Sequence, residues 1–597
     1  MVTNLVGSGL VLQNNGGNNL PVTANGGFMF TTAVASGGAY AVTVFSQPSN
    51  PAQNCVVTSG SGNASANVTS VQVTCTTVTF TIGGMVTNLV GSGLVLQDNG
   101  GNNLSVTANG SFTFTTTVAS GGAYAVTVSA QPSSPAQTCG VVNGSGAANA
   151  NVTTVIVNCG HNEWAWMSGA NVQNQNGTYG TQGTAAPANI PGVRNFGPVS
   201  WSDASGNLWL FGGNGLDSAG TSGGGDLNDL WKYDITSNEW TWVNGSNLIS
   251  QNGTYGTQGT AAPANVPGAR DEAVTWTDSS GNLWLFGGNS LDSAGATGLI
   301  NDLWKYNITS NEWTWVSGSN LVSQKGTYGM LGTSAPANVP GARQHSVAWT
   351  DTSGSLWLFG GVGLDSAGAT GDLSDLWKYN ISSGEWTWMN GPNLISQKGT
   401  YGTQGTPASA NVPGARDSAV SWKDTSGNLW VFGGFGFDST GASGELSDLW
   451  KYTVSSGEWT WMNGPNIVNQ IGTYGTQGTP APANVPGGRS DLFSWADPSG
   501  NFWLFGGFGY DSTNPTTGLG NLNDLWKYTV SSGEWTWMNG PNIVNQIGTY
   551  GTQGILAPGN IPGNREGGAS WTDVSGSLWL FGGSGILSVN DLWMYMP

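Results

Sequence analysis

Six copies of one tryptophan-rich motif follow one another between residue 160 and the last residue, 597. Each copy carries a run ending in Trp, a polar turn, a run such as LWLFGG, a DLWKY run and then EWTW. Runs of β-branched and aromatic residues between Gly-rich and polar turns are typical of strands. The motif therefore predicts four strands per copy, and its repetition constrains the fold more than any other feature. An arginine opens every copy, at Arg194, Arg270, Arg343, Arg416, Arg489 and Arg565.

The two ends of this region complement each other. The last copy stops at DLWMYMP without an EWTW run, whereas an extra EWAW stands before the first copy at residues 163–166. We expect Glu163, Trp164 and Trp166 to supply the outer strand of the last copy. This pairing would remove a free sheet edge and hold both ends of the region in place.

The motif resembles the kelch repeat, in which an Arg is followed by a strand closed by Gly-Gly, a Trp or Tyr strand and a final Trp. The resemblance covers all six copies and implies a six-bladed β-propeller over residues 160–597, with one four-stranded sheet per blade. It also implies that the aromatic side chains pack between adjacent blades. The copies exceed the ~50 residues of kelch repeats, mostly in the GTYGTQGT stretch and the residues that lead from it to each Arg.

Two copies of a different repeat come first. Met1 opens MVTNLVGSGLVLQ, and Met85 opens nearly the same text. Strand-like runs separated by Gly, Asn and Ser clusters predict a small β-sandwich for each copy, at residues 1–76 and 77–159. The expected fold class is thus all-β, with two Ig-like sandwich domains ahead of a kelch-type propeller. This architecture resembles secreted bacterial proteins that join repeated sandwich modules to such a propeller.

Each N-terminal copy carries its own cysteine pair, Cys55 with Cys75 and Cys139 with Cys159. A disulfide within each copy is the natural interpretation, and closing a loop of this size contributes about 3 kcal/mol. Zinc is the alternative, although two Cys without a nearby His pair make a poor site. Because disulfides persist in oxidising compartments, we expect an extracellular or cell-surface location.

The two N-terminal copies differ at their starts. TVTFTIGG, at residues 77–84, precedes the second copy and is expected to form its first strand, whereas no such run precedes Met1 in the sequence. An open edge of unpaired N–H and C=O groups invites pairing with another chain. One interpretation is assembly by strand donation, and the other is a truncated gene model or a cleaved precursor.

Charge and hydropathy exclude several partners. The chain has 14 Lys and Arg against 33 Asp and Glu, and residues 1–159 hold Asp98 as their one acid and no Lys or Arg. Nucleic-acid binding needs clustered Lys and Arg, so we do not expect it. No apolar run approaches the ~18 residues of a membrane-spanning helix, and no signal peptide is recognisable. Membrane insertion is therefore not expected.

Kelch propellers resemble the central domain of galactose oxidase, which raises the question of a copper site. That family's site needs paired His and Tyr ligands and a Cys joined to one Tyr. Here the last cysteine is Cys159, and the two histidines, His161 and His345, are isolated in the sequence. We therefore expect neither this copper site nor any other catalytic activity, and we expect no cofactor.

Repeated acids and tryptophans have both structural and functional interpretations. The Asp before each Leu-Trp pair is expected to cap a turn or to pair with a repeated Arg. The 30 tryptophans are interpreted mainly as packing between blades, with sugar stacking as the alternative.

A further set of acids occurs in loops reading LDSAG, FDSTG or YDSTN, for which turn formation and calcium binding are the two interpretations. These candidate calcium ligands are Asp217, Asp292, Asp365, Asp438 and Asp511.

Asn-x-Ser/Thr triplets mark candidate glycosylation sites, which would compensate for the low charge of the N-terminal region. Those in this region are Asn63, Asn67, Asn103, Asn109, Asn143 and Asn151.

The leading functional hypothesis is a non-catalytic extracellular structural protein that assembles with copies of itself into a surface filament or matrix. The alternative is an adhesive surface protein that binds glycans on the propeller face.

Overall fold

The computed structural model describes residues 1–89, 91–133, 139–159, 162–221 and 223–597. These residues form strands, turns and loops, in two compact units, Met1–His161 and Asn162–Pro597. The prediction of an all-β protein with many small antiparallel sheets and two disulfides is confirmed. Within the described ranges, no helix has the length and apolar character needed to cross a membrane.

The first N-terminal repeat forms two facing sheets, with strand orders β3-β2-β4-β6 and β1-β7-β5. Alternate residues of β2 are buried, as expected for a strand with one face on a core. The core of this repeat includes Leu10, Leu12 and Val73. The strands are β1 (Val2–Thr3), β2 (Leu10–Asn14), β3 (Asn18–Val22), β4 (Ala39–Ser46), β5 (Gln53–Thr58), β6 (Ser61–Asn63) and β7 (Gln72–Thr77).

The second repeat has the same two sheets with more strands, in the orders β11-β10-β14-β16 and β12-β9-β17-β15, together with a β13-β8 pair. The expected first strand at residues 77–84 is present as β8 and the start of β9. The strands are β8 (Thr79–Phe80), β9 (Ile82–Thr87), β10 (Leu94–Asp98), β11 (Asn102–Val106), β12 (Gly110–Thr113), β13 (Val118–Ala119), β14 (Ala123–Ala130), β15 (Gly140–Val142), β16 (Ser145–Ala147) and β17 (Val152–Asn158).

The second unit begins with β18 (Glu163–Ser168) and continues through six groups of antiparallel strands, which we name sheets A to F; in B, D and E a separate three-stranded sheet accompanies the four-stranded one. Sheet A contains β19 (Arg194–Phe196), β20 (Val199–Ser202), β21 (Leu208–Gly215), β22 (Gly225–Asp234) and β23 (Glu239–Asn244). Sheet B contains β24 (Arg270–Asp271), β25 (Val274–Thr277), β26 (Leu283–Phe286), β27 (Asn289–Leu291), β28 (Thr297–Leu299), β29 (Leu303–Asn307) and β30 (Glu312–Ser317).

Sheet C contains β31 (Arg343–Gln344), β32 (Val347–Thr350), β33 (Leu356–Leu364), β34 (Thr370–Asn380) and β35 (Glu385–Asn390). Sheet D contains β36 (Arg416–Asp417), β37 (Val420–Lys423), β38 (Leu429–Phe432), β39 (Phe435–Phe437), β40 (Ser443–Glu445), β41 (Leu449–Thr453) and β42 (Glu458–Asn463). Sheet E contains β43 (Arg489–Ser490), β44 (Phe493–Ala496), β45 (Phe502–Phe505), β46 (Phe508–Tyr510), β47 (Leu519–Asn521), β48 (Leu525–Thr529) and β49 (Glu534–Asn539). Sheet F contains β50 (Ala569–Thr572), β51 (Leu578–Phe581) and β52 (Leu592–Met596), and β18 is its fourth strand.

Successive sheets pack face to face, which explains why the LWLF strands are apolar on both faces. In β26, Leu283 and Leu285 pack against Trp201 of sheet A. Trp284 and Phe286, on the other face of β26, pack in a cluster with residues of sheet C. The same arrangement recurs through sheets D, E and F.

Backbone hydrogen bonds join six turns in cyclic order, one from each sheet, at residues that lie two positions before β20, β25, β32, β37, β44 and β50. Each bond runs from the N–H of one residue to the oxygen of its counterpart in another sheet, over 2.9–3.1 Å. All six residues have a left-handed φ between 51° and 66°, a conformation that residues other than Gly, Asn, Asp and His seldom adopt. Followed from donor to acceptor, the residues are Glu272, Gly197, Gly567, Asp491, Ser418 and His345, which donates back to Glu272.

The long stretch before each Arg covers the outer edge of its own sheet. In sheet B, Gly259 N–H donates to the oxygen of Trp315 at 2.8 Å, and Asn265 Nδ2 donates to the oxygen of Trp313 at 3.1 Å. An isolated bridge links Ala262 to Trp313, and equivalent bridges occur on all six outer strands. The extra length of the copies thus occupies edges that would otherwise offer unpaired backbone groups.

Candidate functional site

The first N-terminal repeat has a strand position that no described residue fills. In the second repeat, β9 lies between β12 and β17, with Gly84 opposite Phe112 on one side and Val155 on the other. In the first repeat, the equivalent strand β1 has two residues and pairs with β7 alone, apart from a single bridge between Val2 and Gly26. Near-identical sequences therefore differ around this strand, because its first half, β8, β12 and β13 have no counterpart among the described residues of the first repeat.

Backbone groups beside this position differ between the two repeats. In the second repeat, Phe114 N–H donates to the oxygen of Ile82 at 2.8 Å, and Val152 N–H donates to the oxygen of Thr81 at 2.9 Å. The equivalent N–H groups of Phe30 and Val68 have no hydrogen-bond partner in the part of the chain that the structure describes. The first repeat therefore offers donors on both sides of an empty strand position.

Apolar side chains beside the position are also less covered. Phe112 and Phe114 are 7% and 2% exposed, whereas Phe28 and Phe30 are only partly buried. Ile82 is fully buried in the second core, and Phe80 packs against it. None of the described residues takes these two places in the first repeat, so Phe28 and Phe30 lack the apolar neighbours that Phe112 and Phe114 have.

Both predicted disulfides are present, Cys55–Cys75 and Cys139–Cys159. Cys55 and Cys75 face each other across β5 and β7. Because β7 also forms one wall of the unfilled position, the disulfide ties that wall to its neighbouring strand. The disulfides indicate an oxidising, extracellular environment.

The candidate glycosylation residues lie on strands and turns of the first unit. Asn63, Asn67, Asn103 and Asn151 are exposed. Asn109 is also exposed, but its side chain accepts from Leu89 N–H at 2.7 Å and donates to the Leu89 oxygen at 2.9 Å. Asn143 is half-buried.

In the second unit, the closing residues Glu163, Trp164 and Trp166 lie in β18, antiparallel to β52. Trp164 is fully buried and lies opposite Tyr595. Trp166 is half-buried and lies opposite Trp593. Segments from the two ends of the unit therefore form one sheet.

Of the two roles expected for the Asp before each Leu-Trp pair, the structure shows the pairing with Arg and not the turn cap. Each of these ion pairs is buried. In sheet C, Arg343 Nη1 is 2.7 Å from Asp375 Oδ1. The same carboxylate also accepts hydrogen bonds from Tyr328 Oη at 2.6 Å and from Trp377 Nε1 at 2.7 Å. Burial favours the neutral carboxyl, but the charge of Arg343 outweighs it and lowers the pKa of Asp375. Removing one partner of such a pair would leave a buried, unpaired charge and would strongly destabilise the folded state.

The candidate calcium acids are bound to their own loops. Asp292 accepts from the N–H groups of Ala294 and Ala296 at 2.8 and 2.9 Å, and from Val322 N–H at 3.2 Å. Burial raises its pKa, but these backbone bonds outweigh that effect and lower it. Asp217, Asp365, Asp438 and Asp511 make equivalent bonds. Across the described residues, no group of three or more His, Cys, Asp or Glu is placed to hold a metal ion.

A small polar cavity lies inside the ring of left-handed residues. It has a volume of about 140 Å³ and is lined by residues of all six sheets, including Glu272, His345, Ser418 and Asp491. His345 Nε2 is 2.9 Å from Glu272 Oε1 and 3.6 Å from Asp491 Oδ1. Burial disfavours the imidazolium, but the hydrogen bond to Glu272 and the charge of Asp491 outweigh it and raise the pKa of His345 to about 9. His345, isolated in the sequence, is thus a cation between two acids.

Four further acids, outside the cavity lining, interact electrostatically with each other or with its charged residues. Burial, followed by repulsion from neighbouring acids, raises the pKa of Asp271 and Glu566 to about 7 and that of Glu445 to about 8. Burial and the nearby Asp372 also raise the pKa of Asp417 to about 7. The sequence analysis did not identify these residues. For Asp271, Asp417 and Glu566 the available signal was that the position directly after each Arg varies among copies that are otherwise nearly identical.

His161 lies outside the described residues. No known protein-family model matches the chain.

Proposed function

We propose that the protein is a non-catalytic structural component of an extracellular filament or matrix, held there by a β-strand that a neighbouring polypeptide donates to its first sandwich. We further infer that the two N-terminal repeats are Ig-like sandwiches and that sheets A to F are the blades of a six-bladed kelch-type propeller. The cyclic hydrogen bonds from Glu272 round to His345 support a closed ring of six blades.

The observation that carries the functional proposal is the unfilled strand position beside Phe28 and Phe30. Unpaired strand edges are strong templates for pairing, and most proteins cover or charge them. The first unit cannot use charge for this purpose, because residues 1–159 have no Lys or Arg and a single acid. Donated strands fill such positions through main-chain hydrogen bonds and alternate side-chain pockets.

The second unit supports a structural role in a different way. Its outer strands are covered by the stretches before each Arg, so it offers few edges for strand pairing. Its repeated Arg, Asp, Tyr and Trp side chains bond to one another in the interior. We propose that this unit acts as a rigid body displayed by the assembly, while the first repeat makes the connection.

Cell fractionation tests the proposal. The chain would be compared with a variant in which the text of residues 77–84 is copied in front of Met1, so that the empty position is filled within the same molecule. Expressed in the cells that produce the protein, the original chain should sediment with surface filaments, and the extended variant should remain among soluble secreted proteins. Equal sedimentation of both chains, or only monodisperse monomers of the native protein by negative-stain microscopy, would contradict the proposal.

A second candidate function is glycan binding or adhesion through the face that bears the polar cavity. The specific observation in its favour is that Glu272, His345 and Asp491 break the internal repetition and line that cavity. A glycan array probed with and without calcium tests this candidate. Binding that is lost in the Glu272→Gln variant would support it, and no binding under either condition would count against it.

A further inference from the structure

The residues of the left-handed ring differ from sheet to sheet, although the copies are otherwise nearly identical. Sheets A and F have glycine at this position, Gly197 and Gly567, which adopts a left-handed φ without strain. The other four sheets hold larger residues in the same conformation, namely Glu272, His345, Ser418 and Asp491. Glu and Ser are residue types that seldom adopt it, and backbone strain of this kind is concentrated at functional sites. The side chains of the ring, and not their fit to the backbone, therefore distinguish the sheets.

The cavity inside the ring carries more negative than positive charge. Two acids line it, Glu272 and Asp491, and His345 lies between them. Among the described residues, the lining contains no Lys or Arg. With His345 protonated, one of the two acids is left without a counter-charge. The side chains of these three residues are 13–27% exposed, so a dissolved ligand can reach them.

Two buried carboxyl oxygens close to these residues have no hydrogen-bond partner among the described residues, Asp271 Oδ1 and Glu445 Oε2. Asp271 directly precedes Glu272 and is 9% exposed, and Glu445 is 6% exposed. Burial, and then repulsion from Glu272, raises the pKa of Asp271. Burial also raises the pKa of Glu445, and repulsion from Asp491 adds to it. A positive charge held in the cavity would ease this repulsion.

Apolar side chains also line the cavity. Phe196 directly precedes the ring residue of sheet A and is 39% exposed. It lines the cavity together with Pro198 and Leu492. At the place of Phe196, sheets B, D and F have the acids Asp271, Asp417 and Glu566. An aromatic and aliphatic surface beside unpaired acids suits an alkyl chain that ends in a cation.

We propose that this cavity binds the primary ammonium group at the end of an aliphatic chain, supplied by a free alkylamine or by a lysine side chain of another polypeptide. The ammonium group would donate hydrogen bonds to Glu272 and Asp491, and its aliphatic stem would lie against Phe196. A quaternary ammonium group has no N–H to donate, and a neutral sugar brings no charge, so neither satisfies these acids as well. The cavity volume of about 140 Å³ is about tenfold what one water molecule needs, which leaves room for such an end group.

This inference goes beyond the proposed assembly role and does not depend on it. The cavity belongs to the second unit, whereas the strand position belongs to the first. Equal sedimentation of the original chain and the extended variant would leave the amine site unaffected, and a failure of amine binding would leave the assembly role unaffected.

Binding of defined amines to the full chain tests the inference. One probe is cadaverine, a straight-chain aliphatic diamine, and the other is the peptide acetyl-Gly-Gly-Lys-Gly-Gly-amide. The matched control for each probe carries acetylated amino groups. In isothermal titration calorimetry at neutral pH and low salt, the amines should bind one to one and the acetylated controls should not bind. Tighter binding of cadaverine would identify a free amine as the ligand, and tighter binding of the peptide would identify a lysine side chain.

Two variants at the ring should change the affinity in opposite directions. Glu272→Gln should weaken binding about 10- to 100-fold, because a hydrogen bond between charged groups is lost. His345→Asn should strengthen binding about 2- to 5-fold, because it removes a positive charge that competes for the same acids. Asn also tolerates a left-handed φ. Glu458→Gln, in outer strand β42, removes one acid far along its sheet from the ring residue and is the matched control, which should bind as the unchanged chain does.

Three results would overturn the inference. The first is a lack of binding by both amines, and the second is equal affinity for the amines and their acetylated controls. The third is weaker binding in both Glu272→Gln and His345→Asn, since this would show only that either change disturbs the ring. Opposite effects of the two variants cannot arise from a general loss of stability, so they would support the site even if one variant folds less well.

Discussion

Trp571 Nε1, in sheet F, donates a hydrogen bond of 2.9 Å to the backbone oxygen of Trp209 in sheet A. Equivalent bonds run from Trp201 to Trp284 and from Trp276 to Trp357. A bond that links neighbouring sheets along the chain therefore also links the last sheet to the first. Among the described residues this contact joins five of the six neighbouring pairs of sheets, and the exception is Trp422 of sheet D, whose buried Nε1 has no hydrogen-bond partner.

The closing strand β18 should contribute as much to the free energy of unfolding as the outer strand of any other sheet. Trp164→Ala should lower the free energy of unfolding by about 3–5 kcal/mol, because it leaves a large cavity at a fully buried site. Trp313→Ala, at the same place in sheet B, is the matched control and should cost about as much. Urea unfolding followed by tryptophan fluorescence reports on the second unit alone, since all 30 tryptophans lie beyond residue 163. A small effect of Trp164→Ala beside a large effect of Trp313→Ala would show that β18 is not needed.

Breaking a buried ion pair should destabilise the second unit strongly. Asp375→Asn should cost about 3–5 kcal/mol, since it leaves the Arg343 guanidinium buried without a counter-charge. The double variant Arg343→Met with Asp375→Leu should recover part of this loss, because it removes both charges. The measurement is the midpoint of urea unfolding for the two variants. A double variant that is less stable than Asp375→Asn would contradict this explanation.

The loop acids should act through hydrogen bonds to backbone, without calcium. Asp292→Ala should lower stability by about 1–3 kcal/mol, because three backbone N–H groups lose their acceptor. The melting temperature of the unchanged protein should be the same in calcium and in a chelator. A rise in melting temperature with calcium that disappears in Asp292→Ala would instead establish a calcium site at this loop.

The second unit should be more stable at pH 5 than at pH 8. Asp271, Asp417 and Glu445 have folded-state pKa values of about 7 to 8, against about 4 when unfolded. The folded state thus binds more protons, and stability falls as the pH rises from about 4 through these values. His345 also makes the protein more stable at low pH. The stabilisation that protonated His345 gains from Glu272 and Asp491 is complete below about pH 6.5 and is lost as the pH rises past about 9.

The difference between pH 5 and pH 8 should be on the order of a few kcal/mol in urea unfolding. Below about pH 4 the trend should reverse, because Asp292 and Asp375 have lowered pKa values and lose their stabilising bonds on protonation. Asp417→Asn should raise stability at pH 8 and flatten the profile. Glu458→Gln, in outer strand β42, is the control and should change neither. Equal stability at pH 5 and pH 8 would contradict this prediction.

The two N-terminal repeats should exchange amide hydrogens at different rates. The amides of Phe30 and Val68 should exchange much faster than those of Phe114 and Val152, because only the latter pair has backbone acceptors. Hydrogen exchange followed by mass spectrometry makes this comparison within one molecule, between stretches of nearly the same sequence. Equal protection in the two repeats would show that the first repeat closes its open position by itself.

Local sequence predicted the parts of the fold that depend on local patterns. Runs such as LWLF predict strands because they are apolar and rich in aromatic residues, and Cys55 and Cys75 predict a disulfide because each repeat carries one pair. The pairing of β18 with β52 could also be anticipated, because the last copy lacks an EWTW run and an extra EWAW run stands before the first copy. For the Asp before Leu-Trp, the expected ion pair with Arg is present and the expected turn cap is wrong. The sequence left both roles open because Asp can serve in either.

Tertiary structure alone decided where the non-repeated polar residues meet. Glu272, His345 and Asp491 come from three different sheets, and their approach depends on how the sheets are arranged about the cavity. The sequence by itself determined that the chain repeats, and hence that identical strands pack on identical strands. The sequence also indicated that the first sandwich lacks a strand, but only the tertiary structure decided that the N–H groups of Phe30 and Val68 border the unfilled position. The physical reason is that a strand is completed by neighbours outside its own sequence.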